Sequence, residues 1–67
     1  MKPIIGSKSI EKFYNRSWEV ILKLIRDENF PAAKDEGCWV SDEDLIREWH
    51  QKRVKNLLLK NPVNIQS

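Results

Sequence analysis

The sequence predicts a mainly α fold carrying a small β-hairpin, in the order helix, turn, helix, hairpin, helix. Three observations lead there. A polar break, Asn15-Arg16-Ser17, separates two stretches whose apolar residues recur at helical spacing. Phe30-Pro31-Ala32-Ala33-Lys34 and Gly37-Cys38-Trp39 read as two short strands around a glycine turn. Ser41-Asp42-Glu43-Asp44 then opens a third helical pattern. With 67 residues there is room for one domain, near the size at which a single core only just suffices.

Each element follows from its residues. Met1 to Ile5 reads as an extended lead-in, because Pro3 disfavours helix just before it. Gly6 or Ser7 can cap the first helix, where Ile10, Phe13 and Tyr14 share a face. Asn15 ends it, since asparagine tolerates the left-handed conformation that tight turns require. Ser17 caps the second helix, with Glu19 in its favourable first turn. Val20, Ile21, Leu24 and Ile25 form its inward face; Trp18, Glu19, Leu22, Lys23 and Arg26 lie elsewhere. Pro31 is read as its stop.

Ala32 to Lys34 and Cys38 to Val40 are the expected strands, joined by Asp35-Glu36-Gly37 as a three-residue connection with a bulge at the glycine. Ser41, followed by acids, reads as the cap of the third helix. That helix carries Leu45, Ile46 and Trp49 and continues through Val54 and Leu57-Leu58 to a stop at Asn61-Pro62. The domain is thus expected over 5–60, with 61–67 a flexible tail. Its candidate core is Ile10, Phe13, Leu24, Ile25, Trp39, Leu45, Ile46 and Trp49.

Composition narrows the function classes. A net charge of +2 is mildly basic, compatible with nucleic acid but far from a histone-like field. A single cysteine, Cys38, excludes an intramolecular disulfide and fits a reducing cytoplasm. One Cys and one His (His50) make no zinc framework, and no other metal or cofactor is expected. Asp42, Glu43 and Asp44 are explained by capping and the helix dipole. No base is marked for Cys38, His50 reads as a surface residue, and no phosphate loop or pair of catalytic acids stands out, so an enzyme is not expected. No apolar run reads as a signal peptide or membrane span, and no membrane partner is expected.

In order and spacing, these pieces resemble the small winged helix-turn-helix proteins of the excisionase, AlpA and MerR-like group, common in bacteria and their prophages. The resemblance covers about Ile5 to Trp49. Gly6-Ser7-Lys8-Ser9-Ile10 to Asn15-Arg16-Ser17 looks like the first helix and turn. Leu22-Lys23-Leu24-Ile25-Arg26-Asp27 with Phe30-Pro31-Ala32 looks like the second helix and its exit. Gly37-Cys38-Trp39 and the step to Trp49 look like the return strand of the wing and the following helix. The resemblance implies a second helix in the major groove of double-stranded DNA and a wing on the backbone or minor groove. Ser17, Trp18, Glu19, Leu22, Lys23 and Arg26 become the DNA-facing set by that correspondence, with Lys34 on the wing and Lys8, Lys12 and Arg16 holding the backbone. The chain departs from the family pattern at Glu11, where a small residue is usual, at Asn15, usually glycine, and at Trp18 and Glu19. Asp35 and Glu36 put negative charge at the wing tip.

The expected function is sequence-specific DNA binding, as a small transcriptional regulator of phage or mobile-element type or an excisionase-like accessory factor with a recombinase or transcription partner. The alternative is a protein-interaction module using Trp18, Leu22 and the acidic wing tip. Several residues have a plainer reading. Lys23 and Arg26 can instead pair with Asp27 or Glu28 on a solvated face. Trp18 either packs or anchors a partner. Val54 to Leu59 either folds back on the core or forms a homodimer interface through Val54, Leu57 and Leu58. Lys52, Arg53, Lys55 and Lys60 also make that end able to track phosphates.

Overall fold

A computed structural model describes residues 2–60. It contains three helices and a three-stranded antiparallel sheet: β1 (Pro3–Ile5), α1 (Ser7–Tyr14), α2 (Trp18–Glu28), β2 (Ala32–Asp35), β3 (Cys38–Asp42) and α3 (Glu43–Lys60). The expected lead-in is therefore a strand. It pairs with β3, which lies central in the order β1-β3-β2, with Ile4 opposite Ser41 and Ala32 opposite Ser41 from the other side. Pro3, which has no N–H, sits on an edge strand where none is required. Alternation then turns Ile4 inward, 6% exposed, and leaves Ile5 outward.

Gly6 links β1 to α1 at φ 94°, a region open to glycine at little cost. Its N–H donates to the Trp39 carbonyl at 2.7 Å, so one residue ends the sheet pairing and starts the helix without a side-chain cap. Asn15 closes α1 in the left-handed region, as expected, its N–H donating to the Glu11 carbonyl at 2.7 Å. Ser17 caps α2, its Oγ accepting from the Val20 N–H at 3.4 Å. Asn29 rather than Pro31 ends α2: it takes φ 60°, and the Phe30 N–H donates back to the Leu24 carbonyl at 3.1 Å. That reversal throws Phe30 into the core at 3% exposure.

The hairpin also differs from expectation. Asp35 pairs with Cys38, and both Glu36 (φ 54°) and Gly37 (φ 80°) lie at positive φ, the signature of a two-residue type I′ turn without a bulge. Each strand is accordingly longer than read from sequence. At the start of α3 the cap is Asp42, not Ser41. The Asp42 carboxylate accepts from the Asp44 N–H at 2.9 Å and the Leu45 N–H at 3.3 Å. Pairing of Asp42 with Pro3 extends β3 past Ser41, and the Ser41 hydroxyl donates to the Pro31 carbonyl instead.

The core is Ile4, Ile10, Ile21, Phe30 and Ile46, surrounded by partly buried Phe13, Tyr14, Trp18, Leu24, Ile25, Ala32, Trp39 and Trp49. Ile4 and Phe30 are additions to the expected set. Two expectations fail: Leu45 is 45% exposed and Val20 42%. Each lies about 100° around its helix from the residue that is buried, Ile46 or Ile21. A domain this small covers only a narrow stripe of each helix. Tyr14, Phe30 and Trp49 pack edge to face, with centroids 4.9–6.0 Å apart. The Trp49 indole N–H donates to the Glu28 carbonyl at 2.9 Å, and Arg53 pairs with the Glu28 carboxylate at 3.3 Å, fixing α3 to the end of α2.

Beyond Arg53 every residue of α3 to Lys60 is exposed, so Val54 to Leu59 does not fold back on the core. The proposed stop at Asn61-Pro62 and the tail 61–67 lie outside the described residues. Among residues 2–60 no helix is long and apolar enough to cross a membrane.

Candidate nucleic-acid interface

Ile21 is fully buried, and this decides what the rest of α2 presents. At 100° per residue, Glu19, Lys23 and Arg26 fall opposite Ile21, and all three are exposed. Leu22, on the flank, is half-buried. The Ser17 cap fixes where this face begins, and the Asn29 reversal fixes where it ends. The helix thus has one side in the core and one side in water.

The charges on that outward face are not neutralised internally. Among the described residues, neither Lys23 nor Arg26 makes a hydrogen bond or ion pair. The alternative pairing with Asp27 or Glu28 is absent among the described residues; Glu28 lies across α2 from both cations and is engaged by Arg53. Two guanidinium or ammonium groups three residues apart on a capped helix are thus available to a ligand. Glu19 stands among them and favours the helix start through its charge.

A second group gathers at the α1–α2 turn. Lys8 and Lys12 are exposed one turn apart on α1, and Arg16 is exposed in the turn just past the left-handed Asn15. Lys8, Glu11, Lys12, Asn15, Arg16 and Ser17 line one shallow surface depression. Arg16 is directed there in part by its own backbone contact, with Nη1 donating to the Asn15 carbonyl at 3.1 Å. The Ser17 hydroxyl accepts from Val20 and keeps its own proton to donate.

The third group joins α2 to the hairpin. Trp18 is half-buried and meets Trp39 edge-on, with centroids 5.4 Å apart. Trp39 pairs with Lys34 across the hairpin, so their side chains share a face, and the Lys34 ammonium lies 5.9 Å from the Trp39 ring centroid. Lys34 therefore belongs to the α2 side of the hairpin, whereas Asp35 and Glu36 lie at its turn. Trp18 spends its ring on packing. The sequence reads Trp39 as a core residue on the return strand, and its link to Lys34 needs the strand register to be seen.

Other candidate groups have structural partners. The Tyr14 hydroxyl and His50 Nδ1 are 3.0 Å apart, and Asp42 is the cap of α3. Cys38 is half-buried, facing Asp35 across the hairpin. Comparison of the chain with protein-family profiles, with curated proteins and with solved structures gives no match.

Proposed function

We propose that the chain binds double-stranded DNA as a small winged helix-turn-helix protein, with the outward face of α2 in the major groove. The observation that carries this reading is that Lys23 and Arg26 have no ion-pair partner among the described residues and are exposed on a helix that is capped at both ends. Arg26 suits a guanine edge, where a guanidinium donates to O6 and N7 together; Lys23 suits guanine or phosphate. The Lys8, Lys12 and Arg16 group suits the phosphate backbone, and Lys34 reaches the backbone from the hairpin side facing α2. Asp35 and Glu36 keep the turn itself away from phosphates. The activity is binding without chemistry, as a transcriptional regulator of phage or mobile-element type or as an accessory factor that shapes DNA for a recombinase.

The reading as a protein-interaction module through Trp18, Leu22 and the hairpin tip has less support, because Trp18 packs against Trp39 and Leu22 is only half exposed. Fluorescence anisotropy against a labelled random-sequence duplex tests the DNA reading. Four to six phosphate contacts predict a loss of affinity of about a hundred- to a thousandfold between roughly 50 and 200 mM salt. A Lys23→Ala, Arg26→Ala double variant should bind measurably more weakly. Absence of binding at micromolar protein in low salt refutes the proposal.

A further inference from the structure

Glu19 stands in the middle of the outward α2 face, where the phosphates of a duplex repel a carboxylate. It is exposed on the same side as Lys23 and Arg26, opposite buried Ile21. Asp27 is exposed too, but it lies on the flank, about 80° round the helix from Glu19. Among the described residues the Glu19 carboxylate accepts no hydrogen bond and makes no ion pair. Nor does it complete the cap. Ser17 is the cap, and the reciprocal acceptor of a capping box belongs one position later, where Val20 stands. A negative charge in the first turn favours the helix start, but that effect is the same on any side of the helix. The helix start therefore gives no reason for a carboxylate among the cations of this face.

The base edges of the major groove supply one. Guanine presents two acceptors there, and thymine an acceptor and a methyl group, so neither suits a carboxylate. Adenine presents its N6 amino group beside the N7 acceptor, which repels the second carboxylate oxygen and suits an amide instead. Cytosine presents its N4 amino group with no acceptor beside it on the same base. Arg26 stands seven residues beyond Glu19 and only about 20° from it round the helix. At 1.5 Å per residue the two are about 10.5 Å apart along the axis. For a helix lying along the groove, that is about three base-pair steps of roughly 3.4 Å.

We propose that Glu19 is a specificity-determining residue, accepting from the N4 amino group of a cytosine about three steps from the guanine held by Arg26. The inference rests on the DNA reading and adds which bases the helix selects. On a duplex without cytosine at that step the carboxylate meets the phosphate field with no donor to offset it. Glu19 thus weakens binding to wrong sequences more than to the right one.

The test is selection from a randomised duplex library by the full chain at roughly 50 mM salt, with sequencing of the retained pool for wild type, Glu19→Gln and Glu19→Ala. Wild type should enrich cytosine at one position and guanine about three steps away. Glu19→Gln should change that cytosine to adenine, because an amide meets N6 and N7 together, and leave the guanine in place. Glu19→Ala should lose about tenfold in discrimination at the cytosine alone, and bind duplexes lacking the motif more tightly than wild type. A role confined to the helix start would lower Tm in both variants and leave the enriched motif unchanged; that result overturns the proposal. So does a motif that changes at several positions together in Glu19→Gln. A retained pool without any motif reports binding through phosphates only, which overturns the proposal and leaves the DNA reading standing. If no duplex is retained, both are overturned.

Discussion

Replacement of Asp42 by alanine is the sharpest test of how α3 begins. The carboxylate accepts from two backbone N–H groups, at 2.9 and 3.3 Å, and it is 7% exposed, so water cannot easily take its place. Loss of such a cap costs about 1 kcal/mol, within a range of roughly 0.5–2. Loss of the negative charge at the helix start adds about 0.5 kcal/mol. The expected total is therefore about 1.5–2 kcal/mol, which for a domain of this size lowers Tm by roughly 6–16 °C. Asp42→Asn keeps an acceptor oxygen and gives up only the charge, so its cost should be about 0.5 kcal/mol. Ser41→Ala removes the hydroxyl that holds the Pro31 carbonyl, at about 1 kcal/mol, while leaving the helix start intact. Thermal and urea unfolding followed by circular dichroism give the order, and amide exchange at Asp44 and Leu45 locates the effect. The reasoning fails if Asp42→Asn costs as much as Asp42→Ala, or if Ser41→Ala, and not Asp42→Ala, exposes those two amides to exchange.

Three other outcomes follow from the packing and the α2 face. Ile4→Ala should destabilise by about 2–4 kcal/mol, because a strand that pairs at the sheet edge also fills the core; urea midpoints measure this, and a cost under about 0.5 kcal/mol would return β1 to a mere lead-in. Glu36→Asn should raise stability by about 0.5–1 kcal/mol, since Glu36 sits at φ 54° and asparagine tolerates the left-handed region of a type I′ turn; a lower Tm would contradict the assigned turn. Lys34→Gln should reduce the slope of log affinity against log salt for a duplex by about 0.9, the share of one phosphate contact, without altering the melting curve.

Local chemistry made much of the architecture readable. Asn15 and Ser17 were legible because each carries out its role within a few residues: a left-handed close for α1 and a hydroxyl cap for α2. Elements that depend on distant pairing were not. Three residues of β1 have too little pattern to announce a strand, and only β3 supplies their partners. The same pairing carries β3 on through Asp42 and so moves the cap of α3 from Ser41 to its neighbour. Asn29 offered the stop signal for α2 beside the more conspicuous Pro31, and its left-handed turn came first. At the candidate site, exposure of Lys23 and Arg26 followed from helical periodicity. Which way Glu28 turns was not legible: it lies across α2 from both and pairs with Arg53, twenty-five positions on.

The proposal that the outward face of α2 meets DNA is tested most directly by an amide-shift map of the labelled chain titrated with a random-sequence duplex at low salt. The account predicts the largest shifts at Glu19, Lys23 and Arg26, with a second set at Lys8, Lys12 and Arg16. Absence of shifts, or shifts confined to α3 beyond Arg53, would contradict it.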